Sequence, residues 1–249
     1  MFIVIVAATL VFLLTTILTI AGVGPAFVII PTFYWLGIPL KEAMAVALLL
    51  NSIGMVFASA NYIRHKLVVF RTAIPIIILA TIFSPLGAYS TKFFPEKLLV
   101  WFFTAFLIFA GSMMIFYRPK PKGQAASKTR EFGFGIGTGI GAGYLGGLLG
   151  IGGGNFIVPV LVWLGFDPKN ASATTAFIVI FASLSGFLGH AKMGNVNVTL
   201  LIFSAVGSVA GAIIGSWLMA KKLKGQQVRL VIGIVLYAIA VKMAWGAIF

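Results

Sequence analysis

Uninterrupted apolar runs recur along the whole chain, separated by loops of only a few residues, and such a pattern leaves few folds open. Each run is near the ~20 residues a helix needs to cross ~30 Å of hydrocarbon. The chain is 61% hydrophobic and 9% charged, too little polar surface for a soluble domain of 249 residues. A polytopic all-α transmembrane protein is therefore expected, with no segment left over for a sizeable soluble domain. The first run meets no Lys or Arg until Lys41 and lacks a basic leader, so it is read as a mature membrane segment rather than a cleaved signal.

A formal net charge of +14 raises the question of nucleic acid, yet the basic residues sit in short loops beside apolar spans, without an aromatic-rich soluble face. The excess of positive charge in cytoplasmic loops accounts for them, and the lipid bilayer is the expected partner. The absence of cysteine excludes a disulfide framework, a thiolate metal site and a redox relay.

Sliding the chain against itself by 128 residues, without a gap, reveals a duplication. Gly22 falls on Gly150, Gly24 on Gly152, Pro31 on Pro159, and Trp35-Leu36-Gly37 on Trp163-Leu164-Gly165. Lys41 then meets Lys169, and Gly87 meets Gly215. Residues 1–117 form the first membrane repeat, 118–131 a basic cytoplasmic linker with the composition of a solvated segment, and 132–249 the second repeat.

Each repeat opens with a long apolar element, Phe2 to Gly37 and Phe132 to Gly165, followed by three runs of ordinary length. The opening element is too long for one simple crossing and too short for two. Helix breakers lie inside it, Gly22-Val23-Gly24-Pro25 in the first half and Gly150-Ile151-Gly152-Gly153-Gly154-Asn155 in the second. Two short helices meeting at a break within the membrane, re-entrant in character, are predicted in each half. If each such element goes in and comes back, 13 of the 18 basic residues share the side of the linker; if each crosses once, the split is 10 to 8. The first arrangement is preferred, which puts both termini outside and makes the halves inverted repeats.

Irregular backbone at membrane depth persists only where protein or a water-filled cavity satisfies it. Two breaks at matching positions imply one shared site, and the helix that follows each break turns its free amides and positive dipole end toward it, which suits an anion. The candidate substrate-binding residues are Gly22, Gly24 and Pro25 in the first break and Gly152, Gly153, Gly154 and Asn155 in the second, with Asn51, Ser52, Thr174 and Thr175 as polar residues within spans. Close helix packing is the competing reading for the glycines, above all Gly139, Gly143 and Gly147 at small-xxx-small spacing. Interhelical hydrogen bonds compete for the hydroxyls, and Asn51 at mid-span is the hardest to satisfy locally. Ser84, Asn61 and Ser183 are weaker candidates of the same kind.

His65 and His190 end equivalent runs beside basic residues, where an interfacial role is the default and proton handling, by His190, the minority reading. Glu42, Glu96, Glu131 and Asp167 all fall in loops or at span ends, so a carboxylate relay or a carboxylate-ligated cation site has no candidate. No metal or other cofactor is expected. The glycine run lacks the Lys-Ser/Thr of a nucleotide loop.

Gly150 to Pro159, the Ala-Ser-Ala-Thr-Thr-Ala run from Ala171, and His190 with Gly194-Asn195-Val196 together resemble the TauE/SafE family of sulfite or sulfonate exporters. The first half matches through Gly22-Val23-Gly24-Pro25, Pro31 and the Tyr62 to Val68 segment, so the resemblance covers nearly the whole chain. It implies a duplicated all-helical fold and export of sulfite, sulfoacetate or a similar small anion. Pro25-Ala26 replaces the expected Gly-Gly of a full glycine run, and Lys66-Leu67 stands where the second half has Gly194-Asn195, so the two half-sites are expected to contribute unequally.

The leading expectation is a secondary transporter or facilitator of the cytoplasmic membrane, carrying a small anion outward, with no enzymatic activity; a homo-oligomer is compatible with it. A membrane-embedded enzyme lacks a cysteine, a His-Asp pair or paired carboxylates within a span. A purely structural subunit leaves two matched broken helices without a purpose.

Overall fold

The computed structural model describes residues 2–35, 37–93, 95–116, 128–191 and 198–248, and among these there is no strand. Ten α-helices follow one another: α1 (Phe2–Ala21), α2 (Ala26–Trp35), α3 (Leu40–Arg64), α4 (Phe70–Ser90), α5 (Glu96–Phe116), α6 (Lys128–Leu148), α7 (Gly154–Trp163), α8 (Pro168–Ala191), α9 (Val198–Trp217) and α10 (Gly225–Ile248). A 3₁₀ turn, Thr91–Phe93, ends α4, and a π turn, Leu218–Lys222, ends α9. Four helices, α3, α4, α8 and α9, are long and apolar enough among the described residues to cross a membrane. The chain is a polytopic all-α membrane protein.

Each opening element divides unequally, which corrects the expectation of two short helices. The first arm is full-length, 20 residues in α1 and 21 in α6, and the second only 10 in α2 and in α7. At ~1.5 Å per residue the long arms measure about 30 Å and the short ones about 15 Å. The linker boundary also shifts: Lys128 to Glu131 already belong to α6, while 118–127 of the expected linker lie outside the described residues.

The breaks owe their shape to glycine. Gly22 and Gly24 have φ of +72° and +75°, and their counterparts Gly150 and Gly152 have +70° and +72°. Side chains with a Cβ pay strain in this left-handed region, so the reversal is written into both repeats at the same positions.

Packing does not keep the halves apart. α1 of the first half lies along α9 of the second, and α6 of the second along α4 of the first, so each half lends a helix to the other. Glycines make both contacts close: Gly139, Gly143 and Gly147 of α6 sit over Ile76, Ala80 and Ser84, and Gly207, Gly211 and Gly215 of α9 sit over Ala8, Phe12 and Thr16. At the centre, α3 packs on its own counterpart α8, and α5 on α10. Leu48 lies by Gly186 and Ser52 hydrogen-bonds to the Ile180 carbonyl, so α3 and α8 run antiparallel, crossing where residue 52 meets residue 180, its equivalent at the 128 spacing. Gly111 by Tyr237 and Gly233 by Met114 and Ile115 give α5 and α10 the same antiparallel sense.

One end of the molecule gathers positive charge. The end of α3, the starts of α4, α8 and α10 and the end of α9 meet there, tied by Asn170 Nδ2 donating to the Leu67 carbonyl and Lys169 Nζ to the Ala220 carbonyl. These elements bring Arg64, Lys66, Arg71, Lys169, Lys221, Lys222 and Lys224 to that end, with Asp167 as the acidic residue among them.

Candidate anion site at the junction of two broken helices

A helix that stops inside a membrane leaves carbonyls without partners, and here the two long arms solve the problem with equivalent residues. The Thr19 carbonyl near the end of α1 accepts from the Gly22 amide and from the Tyr62 hydroxyl at 2.8 Å. The Gly147 carbonyl near the end of α6 accepts from the Gly150 amide and from His190 Nε2 at 3.0 Å. Residues 19 and 147 are counterparts, and so are 62 and 190. A carbonyl can only accept, so Nε2 carries the proton, and Nδ1 has no partner among the described residues. His190 thus occupies in the second half the place that Tyr62 fills in the first. Ser172 Oγ donates to the Ala21 carbonyl and Thr91 Oγ1 to the Leu148 carbonyl, completing the two ends.

Beyond these capped ends the chains turn back and converge. A side chain at Gly24 would collide with Asn51 Oδ1, and one at Gly152 would meet both Asn51 Nδ2 and Ser183 Oγ. Asn51 of α3 therefore lies between the two breaks, with Nδ2 donating to Ser183 Oγ of α8 at 2.7 Å. The breaks also touch directly, since a Cβ on Gly154 would stand 2.7 Å from the Val23 carbonyl oxygen. From this junction α2 and α7 depart, each beginning here with amides that have no partner within the helix. α7 has no side-chain cap; Gly153, with φ +78°, precedes it. Two positive helix ends so meet at one polar side chain.

The junction is closed off from solvent, for Asn51, Asn155 and Ser183 are all fully buried. Polar atoms at the junction lack a partner among the described residues, namely Asn51 Oδ1 and both side-chain polar atoms of Asn155, and so does Thr175 Oγ1 further along α8. Buried polar atoms are rarely left unpaired, so these are free to take a ligand or water.

The site residues expected from sequence do not all assemble. Gly24, Gly152, Gly154 and Asn51 come together, with Pro25 before α2, Gly153 before α7 and Asn155 as the second residue of α7. Gly22 lies further along, against Ser172, where its role is the turn out of α1. Thr174 Oγ1 accepts from the Val69 amide at 3.0 Å, holding the loop between α3 and α4. It and Thr175 precede Ser183 by more than two turns of α8, about 13 Å along its axis. Ser52 is engaged with the Ile180 carbonyl at 2.9 Å across the central crossing. Ser183, a weaker candidate by sequence, is at the centre because it faces Asn51, a pairing across the two repeats that no local spacing reveals. The counterparts of Asn51 and Ser183 are Val179 and Met55. The polar pair thus occurs once, with an apolar pair in its place across the crossing.

Over residues 7–243 the chain matches the family described as sulfite exporter TauE/SafE. It is 26% identical to the probable membrane transporter protein YunE of Bacillus subtilis (strain 168), covering 94% of each chain. It is 30% identical to the probable membrane transporter protein YdhB of the same organism, over 82% of this chain and 86% of that one. Sulfite exporter TauE/SafE family protein 1 of Arabidopsis thaliana is 33% identical over 43% of this chain and 23% of its own length. No solved structure matches.

Proposed function

The chain belongs to the sulfite exporter TauE/SafE family, and from that premise we propose that it is a secondary transporter or facilitator that carries a small oxyanion, sulfite or an organosulfonate such as sulfoacetate, out across the cytoplasmic membrane. The observation that carries the reading is the convergence of two half-helix N-termini on Asn51 and Ser183 at the middle of the fold. An anion entering there gains two helix dipoles and free amide donors. The buried, closed junction corresponds to an occluded state. Antiparallel packing of α3 on its counterpart α8 supports inverted repeats, and the gathering of basic residues at one end supports a cytoplasmic placement of that end.

Export needs no further energy source under this reading. An inside-negative potential drives an anion out by ~2.3 kcal/mol per charge per 100 mV.

Purified protein in liposomes tests the proposal directly. Saturable sulfite or sulfoacetate flux that steepens with imposed voltage, and that falls in both Asn51→Ala and Ser183→Ala, is the expected result. Flux indifferent to voltage for a charged substrate, or no flux for any oxyanion, overturns it.

A further inference from the structure

A groove of about 430 Å³ opens between α3 and α9, away from the central junction and close to the basic end. Its walls are apolar, formed by Phe57, Ile213, Ile214 and Trp217, all of which stand on the outer surface. Its mouth is polar, formed by Asn61 and Arg64. Asn61 Nδ2 is turned inward to Ser216 Oγ at 3.1 Å, which joins the two helices and leaves Arg64 as the charged group at the rim. Arg64 makes no ion pair with any described residue. The π turn after Trp217 adds Lys221 and Lys222, with Lys222 Nζ 5.5 Å from the centre of the Trp217 ring. Asp167 is engaged elsewhere, accepting from the Lys169 amide at 2.9 Å.

We propose that this groove binds one anionic phospholipid, its phosphate at Arg64 with Lys221 and Lys222 alongside, and one acyl chain along Phe57, Ile213 and Ile214. A membrane protein surface is always covered by lipid, so the question is which lipid the groove selects. Arg64 at the rim of an apolar slot, with Lys222 next to the Trp217 ring, selects a negative headgroup, and tryptophan is a side chain that settles where headgroup and chain meet. The site stands independently of the transported substrate; only its assignment to the cytoplasmic leaflet rests on the orientation proposed above.

The test uses the whole chain purified in detergent, with dioleoyl phosphatidylglycerol and dioleoyl phosphatidylcholine as probes in thermal unfolding and native mass spectrometry. Phosphatidylglycerol is expected to raise the Tm and to remain bound as a single adduct where phosphatidylcholine does not. Arg64→Gln is expected to lower that preference about fivefold, the weight of one basic residue at a bilayer surface. Lys92→Gln, at the opposite end of the molecule, leaves it unchanged. Equal effects of the two lipids, or equal losses in both variants, overturn the proposal. Brominated phosphatidylglycerol gives a second readout free of the variant's stability: it must quench the wild type more than Trp217→Phe, and equal quenching overturns the assignment of the groove. A second copy of the chain is the competing occupant. The protein has no cysteine, so Phe57→Cys reports it cleanly, and efficient disulfide-linked dimers in vesicles would overturn lipid occupancy.

Discussion

At the scale of single residues, Asn51 carries the argument, because one amide touches both breaks and its Oδ1 has no partner. Asn51→Ala is expected to lower oxyanion flux by about ten- to a hundredfold, the range for a hydrogen bond to a charged group, and to cost about 1–3 kcal/mol of stability by leaving the buried Ser183 hydroxyl without its donor. Flux assays and unfolding in detergent on the same preparation separate the two effects. Tyr62 bears on stability alone. Tyr62→Phe removes one of two donors to the Thr19 carbonyl and is expected to destabilise by about 1 kcal/mol, measured as a lowered Tm, with specific flux retained in the folded fraction. Asn51 was legible in the sequence, since a mid-span amide has few local partners. Ser183 was legible only as a weak candidate, because what distinguishes it is a contact between repeats. The kinship of His190 and Tyr62 is readable from the 128 spacing alone, yet their shared task, closing a carbonyl at a helix end, requires coordinates.

At the scale of elements, the glycines sort by what faces them. A Cβ at Gly143 would lie 2.6 Å from Ala80 Cα, whereas nothing stands within 4 Å of one at Gly137, a turn and a half earlier on the same helix. Gly143→Ala is therefore expected to cost about 1–3 kcal/mol by forcing α6 off α4, and Gly137→Ala to be neutral or to stabilise by up to about 1 kcal/mol through helix propensity. Thermal unfolding of the two variants side by side checks the contrast. The small-xxx-small spacing of Gly139, Gly143 and Gly147 announced close packing, though not its partner. The stripe Gly207, Gly211 and Gly215 has the same spacing and does the same work on α9. The two equivalent interfaces thus carry small residues on non-equivalent helices, which is why aligning the repeats does not expose the second stripe. The unequal arms of each broken element were legible in the place of the glycines, since Gly22 stands 20 positions after Phe2 and Pro25 only 12 before Gly37, but the apolar length taken alone pointed to two short helices.

At the scale of the molecule, the exchange of α1 and α6 between halves makes neither repeat a complete packing unit, although the duplication itself was plain from sequence. The two repeats expressed separately are expected to aggregate or be degraded, whereas co-expressed repeats, cut within the linker, are expected to purify together and to bind as one body. Affinity capture through a tag on one of them measures this, and a stable isolated repeat would contradict the packing. The same exchange sets a timetable for biosynthesis. α1 leaves the ribosome ahead of the other described helices, and its resting place along Gly207, Gly211 and Gly215 follows about 200 residues later. At about 5–20 residues per second the wait between Phe12 and Gly211 is about 10–40 s. Throughout it, the Thr15, Thr16 and Thr19 face of α1 lacks its native cover, so the insertion machinery, or the helices that arrive in between, must shelter that face until α9 is complete.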